Sequence, residues 1–159
     1  MSGSIYAASI DNIRYIKFLG TVRYSHCGGL ENHIDQMFSG ASEIEAIVID
    51  LEDADILDST ALGLLARVAI EYRKLADQRP VIFLKKSELY NIIKRVCFDQ
   101  VFELVFDDPK VAPAEMTELV DGNQNEQQTL KRVVEAHRYL AKINKENEKL
   151  YTDITSAMS

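Results

Sequence analysis

Tryptophan is absent from the 159 residues, proline occurs three times and cysteine twice. Cys27 and Cys97 lie far apart and form no C-x-x-C pair, so both are expected as free thiols in a reducing compartment, with Cys97 in the core. Histidine is equally sparse. His26, His33 and His137 show neither an i, i+4 pairing nor neighbouring ligands at metal spacing, so no metal and no cofactor are expected. Positive charge is in deficit, 18 Lys and Arg against 25 Asp and Glu for a net charge of -7, which argues against nucleic acid and against an anionic membrane surface as partners. No apolar run approaches the roughly 20 residues that cross a bilayer. The opening MSGSIYAASI lacks the basic start and apolar core of a secretion signal. The expected location is the cytoplasm.

What is present is enough for one core, since 47% of the residues are hydrophobic and 27% charged. Ser4 to Ile10 and Ile13 to Gly20, parted by Asp11 and Asn12, read as a hairpin, and Gly20 to Ser25 as a loop. Leu30, Ile34, Met37 and Phe38 recur at helical spacing up to Ser39-Gly40. Val81 to Leu84 and Val101 to Phe106 read as strands on either side of a short helix carrying Leu89, Ile92, Ile93 and Val96. Strands alternating with helices predict an α/β fold in which crossovers make the central strands parallel.

The organising stretch is Ala46 to Leu65, AIVIDLEDADILDSTALGLL. It opens on a strand, Ala46 to Leu51, passes through an acidic turn, and reaches Asp58 and Ser59 just before a helix marked by Leu62, Leu65, Ala66 and Ala69. A hydroxyl is thereby presented at a helix start. Backbone N-H groups there tolerate an anion. A phosphate on Ser59 adds roughly -1.5 to -2 charges beside Asp50, Glu52, Asp53, Asp55 and Asp58, which is expected to block a docking surface more than it unfolds the domain. The competing expectation is that Ser59 only caps the helix. Gly63, one turn inside the helix, costs ~1 kcal/mol relative to Ala and predicts a close packing contact. No G-x-S-x-G or Ser-x-x-Lys surrounds Ser59, so catalysis is not expected, and Gly28-Gly29 without a P-loop Lys reads as loop or helix start.

The strand ending in Asp-Leu, the acidic loop and the Ile-x-Asp-Ser-[Ser/Thr]-x-x-Gly turn resemble the STAS domain of anti-sigma factor antagonists. The resemblance spans roughly Ser4 to Phe106 and implies a mixed sheet of about five strands with helices mainly on one face. It implies that Ser59, with Thr60 as second choice, is phosphorylated by a partner that is both anti-sigma factor and serine kinase, and that a PP2C-type phosphatase reverses this. The unphosphorylated form would bind the kinase-like partner through Asp58, Asp55, Thr60, Leu62, Arg23 and Tyr24. Two positions depart from the family: Arg23 stands where Asp is common, and Ala61 where Gly is frequent. Some relatives sense nucleotides or lipids, so a ligand-sensing or scaffold module is the alternative. Stand-alone members with an added C-terminal helix resemble those of bacterial biofilm and motility circuits, where the regulator bears kinase and phosphatase domains.

On this reading residues 1–107 form the STAS domain and residues 108–128, with two prolines and an Asn/Gln tract, a linker. Residues 129–159 form a C-terminal amphipathic helix. Its apolar residues follow a heptad, with Val133, Leu140, Asn147 and Ile154 at one core position and Ala136, Ile143, Leu150 and Ala157 at the other. That pattern suits a helix docked on its own domain and a homodimeric coiled coil equally.

Overall fold

A computed structural model describes residues 2–40, 43–106, 115–120, 125–144 and 147. The hairpin forms as expected. Strands β1 (Ser4–Ile10) and β2 (Ile13–Val22) pair antiparallel across Asp11 and Asn12, whose φ angles of 49° and 67° are those of the two-residue turn that matches strand twist. Helix α1 (Gly28–Ser39), reached through a short turn at Tyr24–His26, leads to β3 (Ala46–Asp50), which lies parallel to β2. Helix α2 (Ser59–Ala76), β5 (Val81–Phe83), α3 (Glu88–Arg95) and β6 (Glu103–Val105) complete two further crossovers.

Three details differ from the sequence expectation. The acidic turn contains a strand, β4 (Ala54–Leu57), and the loop expected from Gly20 begins as its partner, because β2 continues to Val22. The register shifts at Gly20, whose φ of 68° suits a bulge that lets one long strand pair first with β3 and then with β4. The expected linker contributes β7 (Thr117–Glu118), antiparallel to β1 at the sheet edge. Among the described residues the sheet therefore has seven strands instead of about five, in the order β6-β5-β3-β2-β1-β7, with β4 beside β2.

Alternation along the strands puts Ile5, Ile16, Phe18, Ile47, Ile49 and Ile82 on one face, where they join Leu30, Ile34, Leu62, Leu65, Ala66 and Ile93 in the core. Cys27 and Cys97 are both buried and not joined in a disulfide. Helix α4 (Glu126–Ala141) packs along α2, with Ala136 and Leu140 fully buried. Ile143 also packs on the core, whereas Leu150, Ile154 and Ala157 of the heptad lie outside the described residues. Among the described residues no helix is long and apolar enough to cross a membrane.

Candidate functional site

Strand β4 ends at Leu57, and the chain turns at once into α2. Asp58 is the N-cap: its backbone is extended and its Oδ1 accepts a hydrogen bond from the Ala61 N-H at 3.0 Å. The other carboxylate oxygen accepts from the Tyr24 N-H at 2.6 Å, and the Asp58 N-H donates to the Val22 carbonyl. Asp58 thus joins the helix start to the turn after β2. With the cap supplied by Asp58, Ser59 is the first helical residue and its hydroxyl is not the cap. That hydroxyl sits 2.7 Å from Nε2 of His137 on α4, in a hydrogen bond whose direction follows the imidazole tautomer.

The residues expected at a partner surface separate by depth. Arg23, Tyr24 and Asp55 are exposed, Asp58 and Ser59 half-buried, and Thr60 and Leu62 buried. Thr60, at 2% exposure, offers its hydroxyl to no enzyme in this conformation, and Leu62 belongs to the core beneath the helix. Tyr24, 49% exposed, flanks the site with apolar surface, and Ile56, 52% exposed, lies on β4 three residues before Ser59. Between the start of α2 and the first turns of α4 runs a groove of ≈ 610 Å³ lined by Tyr24, Asp58, Ser59, Thr60, Asn125, Glu126, Thr129, Leu130 and Val133. Its described lining holds two carboxylates and no Lys or Arg.

His137 is a site residue that the sequence alone does not tie to Ser59, 78 positions away. The signal that pointed toward it was Gly63. A Cβ on Gly63 would overlap the backbone carbonyl of Ala136, so the glycine is what lets α4 lie close enough for the next residue to reach Ser59. Gly29 repeats the device at the start of α1, where a Cβ would come within 2.7 Å of the Val120 carbonyl oxygen. Arg132 of α4, 4% exposed, adds an ion pair at 3.1 Å to Glu31 in the first turn of α1. Asn147, expected at a coiled-coil position, is buried and donates through Nδ2 to the Val96 carbonyl at 2.6 Å. The C-terminal segment is therefore a strap: it pairs with β1, crosses α1 at Gly29 and lies along α2.

Burial lowers the His137 pKa, against the attraction of Asp58, so the imidazole tends to the neutral form. A second polar cluster lies between β2 and β3. Asp50, 2% exposed, accepts from the Tyr15 hydroxyl at 2.5 Å and from Lys17 at 3.2 Å, and Lys17 also reaches Asp53 at 3.0 Å. Burial, and then the bond to Asp50, raise the Tyr15 pKa well beyond its ordinary value. The described residues contain no group of three His, Cys, Asp or Glu placed to hold a metal ion.

No protein-family model matches the chain, and no curated protein matches it in sequence. Among solved structures it is similar to an anti-sigma factor antagonist from Mycobacterium paratuberculosis, at 21% identity and a TM-score of 0.54, over 67% of this chain and 87% of that one. The chain has the STAS-type fold. A mixed sheet with crossover helices and an added C-terminal helix is the form that fold takes here.

Proposed function

We propose that this chain is an anti-sigma factor antagonist: a non-enzymatic, cytoplasmic module that binds an anti-sigma factor or related kinase-type regulator and is switched at Ser59. The observation that carries the reading is the position of Ser59. It is the first residue of α2, beside a cap that leaves its hydroxyl unengaged by the backbone, and it lines the same groove as the exposed Tyr24. The partner's kinase would transfer the γ-phosphoryl group of ATP to Oγ, releasing ADP and the hydroxyl proton. A PP2C-type phosphatase would return the hydroxyl by hydrolysis. The added charge stands in a groove with Asp58 and Glu126, so the modified surface repels an acidic partner and must be desolvated against any other.

A ligand-sensing role is less well supported. The groove beside Ser59 presents carboxylates to a nucleotide's phosphates, and the alternative in which Ser59 merely caps α2 loses its basis because Asp58 is the cap. Phosphate-affinity gels of the full chain expressed in its own cells test the proposal. A retarded band that vanishes in Ser59→Ala is the expected result, and a band that persists in Ser59→Ala would move the switch elsewhere.

A further inference from the structure

We infer that α4 is an intramolecular gate on Ser59: the docked helix and a negative charge on this hydroxyl exclude one another. The inference rests on the reading of Ser59 as a phosphoacceptor and adds its regulation. Oγ is already engaged, 2.7 Å from a nitrogen 78 positions further along the chain. The helix that brings this nitrogen has little freedom to yield slightly, because the contact at Gly63 is backbone against backbone. Close-packed surfaces of this kind shift between discrete arrangements more readily than they stretch.

Phosphorylation forms an Oγ–P bond, breaks the bond from the γ-phosphorus to the nucleoside diphosphate oxygen and removes the hydroxyl proton. The new group would have to occupy space now taken by the His137 contact, or turn into the groove where Asp58 and Glu126 lie. The start of α2 tolerates the charge locally, but the described lining of that groove offers no Lys or Arg to neutralise it. The same geometry works in reverse. With α4 seated, Asn125, Glu126, Thr129 and Leu130 wall one side of the hydroxyl, so an incoming kinase needs the helix to lift. Docking and modification are then linked: whatever favours release of α4 favours the phosphorylated form, and the phosphate favours release.

Amide hydrogen exchange on the full chain tests the coupling without the kinase. Ser59→Asp is expected to speed exchange in α4 by about tenfold or more relative to Ser59→Ala, with β3 and the middle of α2 unchanged. Equal protection of α4 in the two variants overturns the gate. Gly63→Ala, which improves helix propensity in α2 while obstructing Ala136, is expected to loosen α4 alone. Should that variant misfold, His137→Ala releases the same helix without adding volume. In cells, whichever of the two variants loosens α4 should carry a larger phosphorylated fraction than wild type on phosphate-affinity gels, and an equal fraction overturns gating of access. Absence of phosphate on Ser59 in every background refutes the phosphoacceptor reading instead, and the exchange comparison still decides the coupling.

Discussion

Asp50 and Ser59 both stand near the ends of parallel strands with polar side chains around them, and they are satisfied in opposite ways. Asp50 is held by Tyr15 and Lys17 of the adjacent strand and by the Glu52 N-H two residues on. All of its partners form whenever the sheet forms. Ser59 is held by His137, on a helix that comes after every strand in the element order and is not part of the sheet. A polar group whose partners are part of the sheet serves stability. One whose partner rides on an appended element is available for control, because the element can leave without dismantling the core.

If that contrast is right, Asp50→Ala should be the most damaging single change. It strands a buried Tyr15 hydroxyl and deprives Lys17 of one carboxylate, at a cost of about 3 kcal/mol, the low end for a broken buried pair because Lys17 can turn toward water. Urea unfolding should show one cooperative transition at a lower midpoint, and a midpoint unchanged from wild type would show that Asp50 is dispensable. Leu140→Ala removes a fully buried side chain from α4. It should cost about 2 kcal/mol by cavity formation, with exchange raised in α4 before the sheet is affected. Simultaneous loosening of β3 would erase the distinction between strap and core.

Asp58→Ala sharpens the contrast at the junction. It deletes a helix cap and the bond to the Tyr24 N-H, for a loss of about 1–2 kcal/mol, and should loosen the Tyr24–His26 turn as well as the start of α2. A smaller effect comes from acid. Burial depresses the folded-state pKa of His33 and of His137 below the unfolded value near 6.5. The unfolded chain therefore binds more protons between those values, and stability complete above pH 6.5 declines as pH falls below it. Urea midpoints between pH 7.5 and 5.5 should show this decline, and His137→Gln should flatten its share; slopes identical in wild type and in both single His→Gln variants would dispose of the assignment.

Much of the central fold was legible because its signals are local. The Asp11-Asn12 turn, the apolar run Ala46–Leu51 and the helical spacing after Ser59 each carry their own structure. Strand β4 was not, since ADIL amid acidic residues shows no alternation and pairs only because β2 bulges at Gly20. Strand β7 is two residues long in a Pro-containing tract, and its pairing is decided by β1 alone. At the site, Asp58 and Ser59 were legible as a helix start, but their division into a cap and a hydroxyl turned toward α4 was not. The heptad in the C-terminal segment reported an apolar face without naming what it meets. Gly63 held that information, and it became readable only once Ala136 was seen against it.

The short pairing of β7 with β1 has a consequence for any competitor of α4. From Glu118 to Glu126 there are few intervening residues, so a lifted helix stays leashed to the sheet edge and revisits its seat at an effective concentration of the order of millimolar. A rival protein present at micromolar levels must therefore bind the vacated surface about a thousandfold more tightly than α4 does to hold it half the time. Release on these terms is brief and self-reversing, and a charge placed on the seat while it stands empty would turn a transient opening into a lasting one.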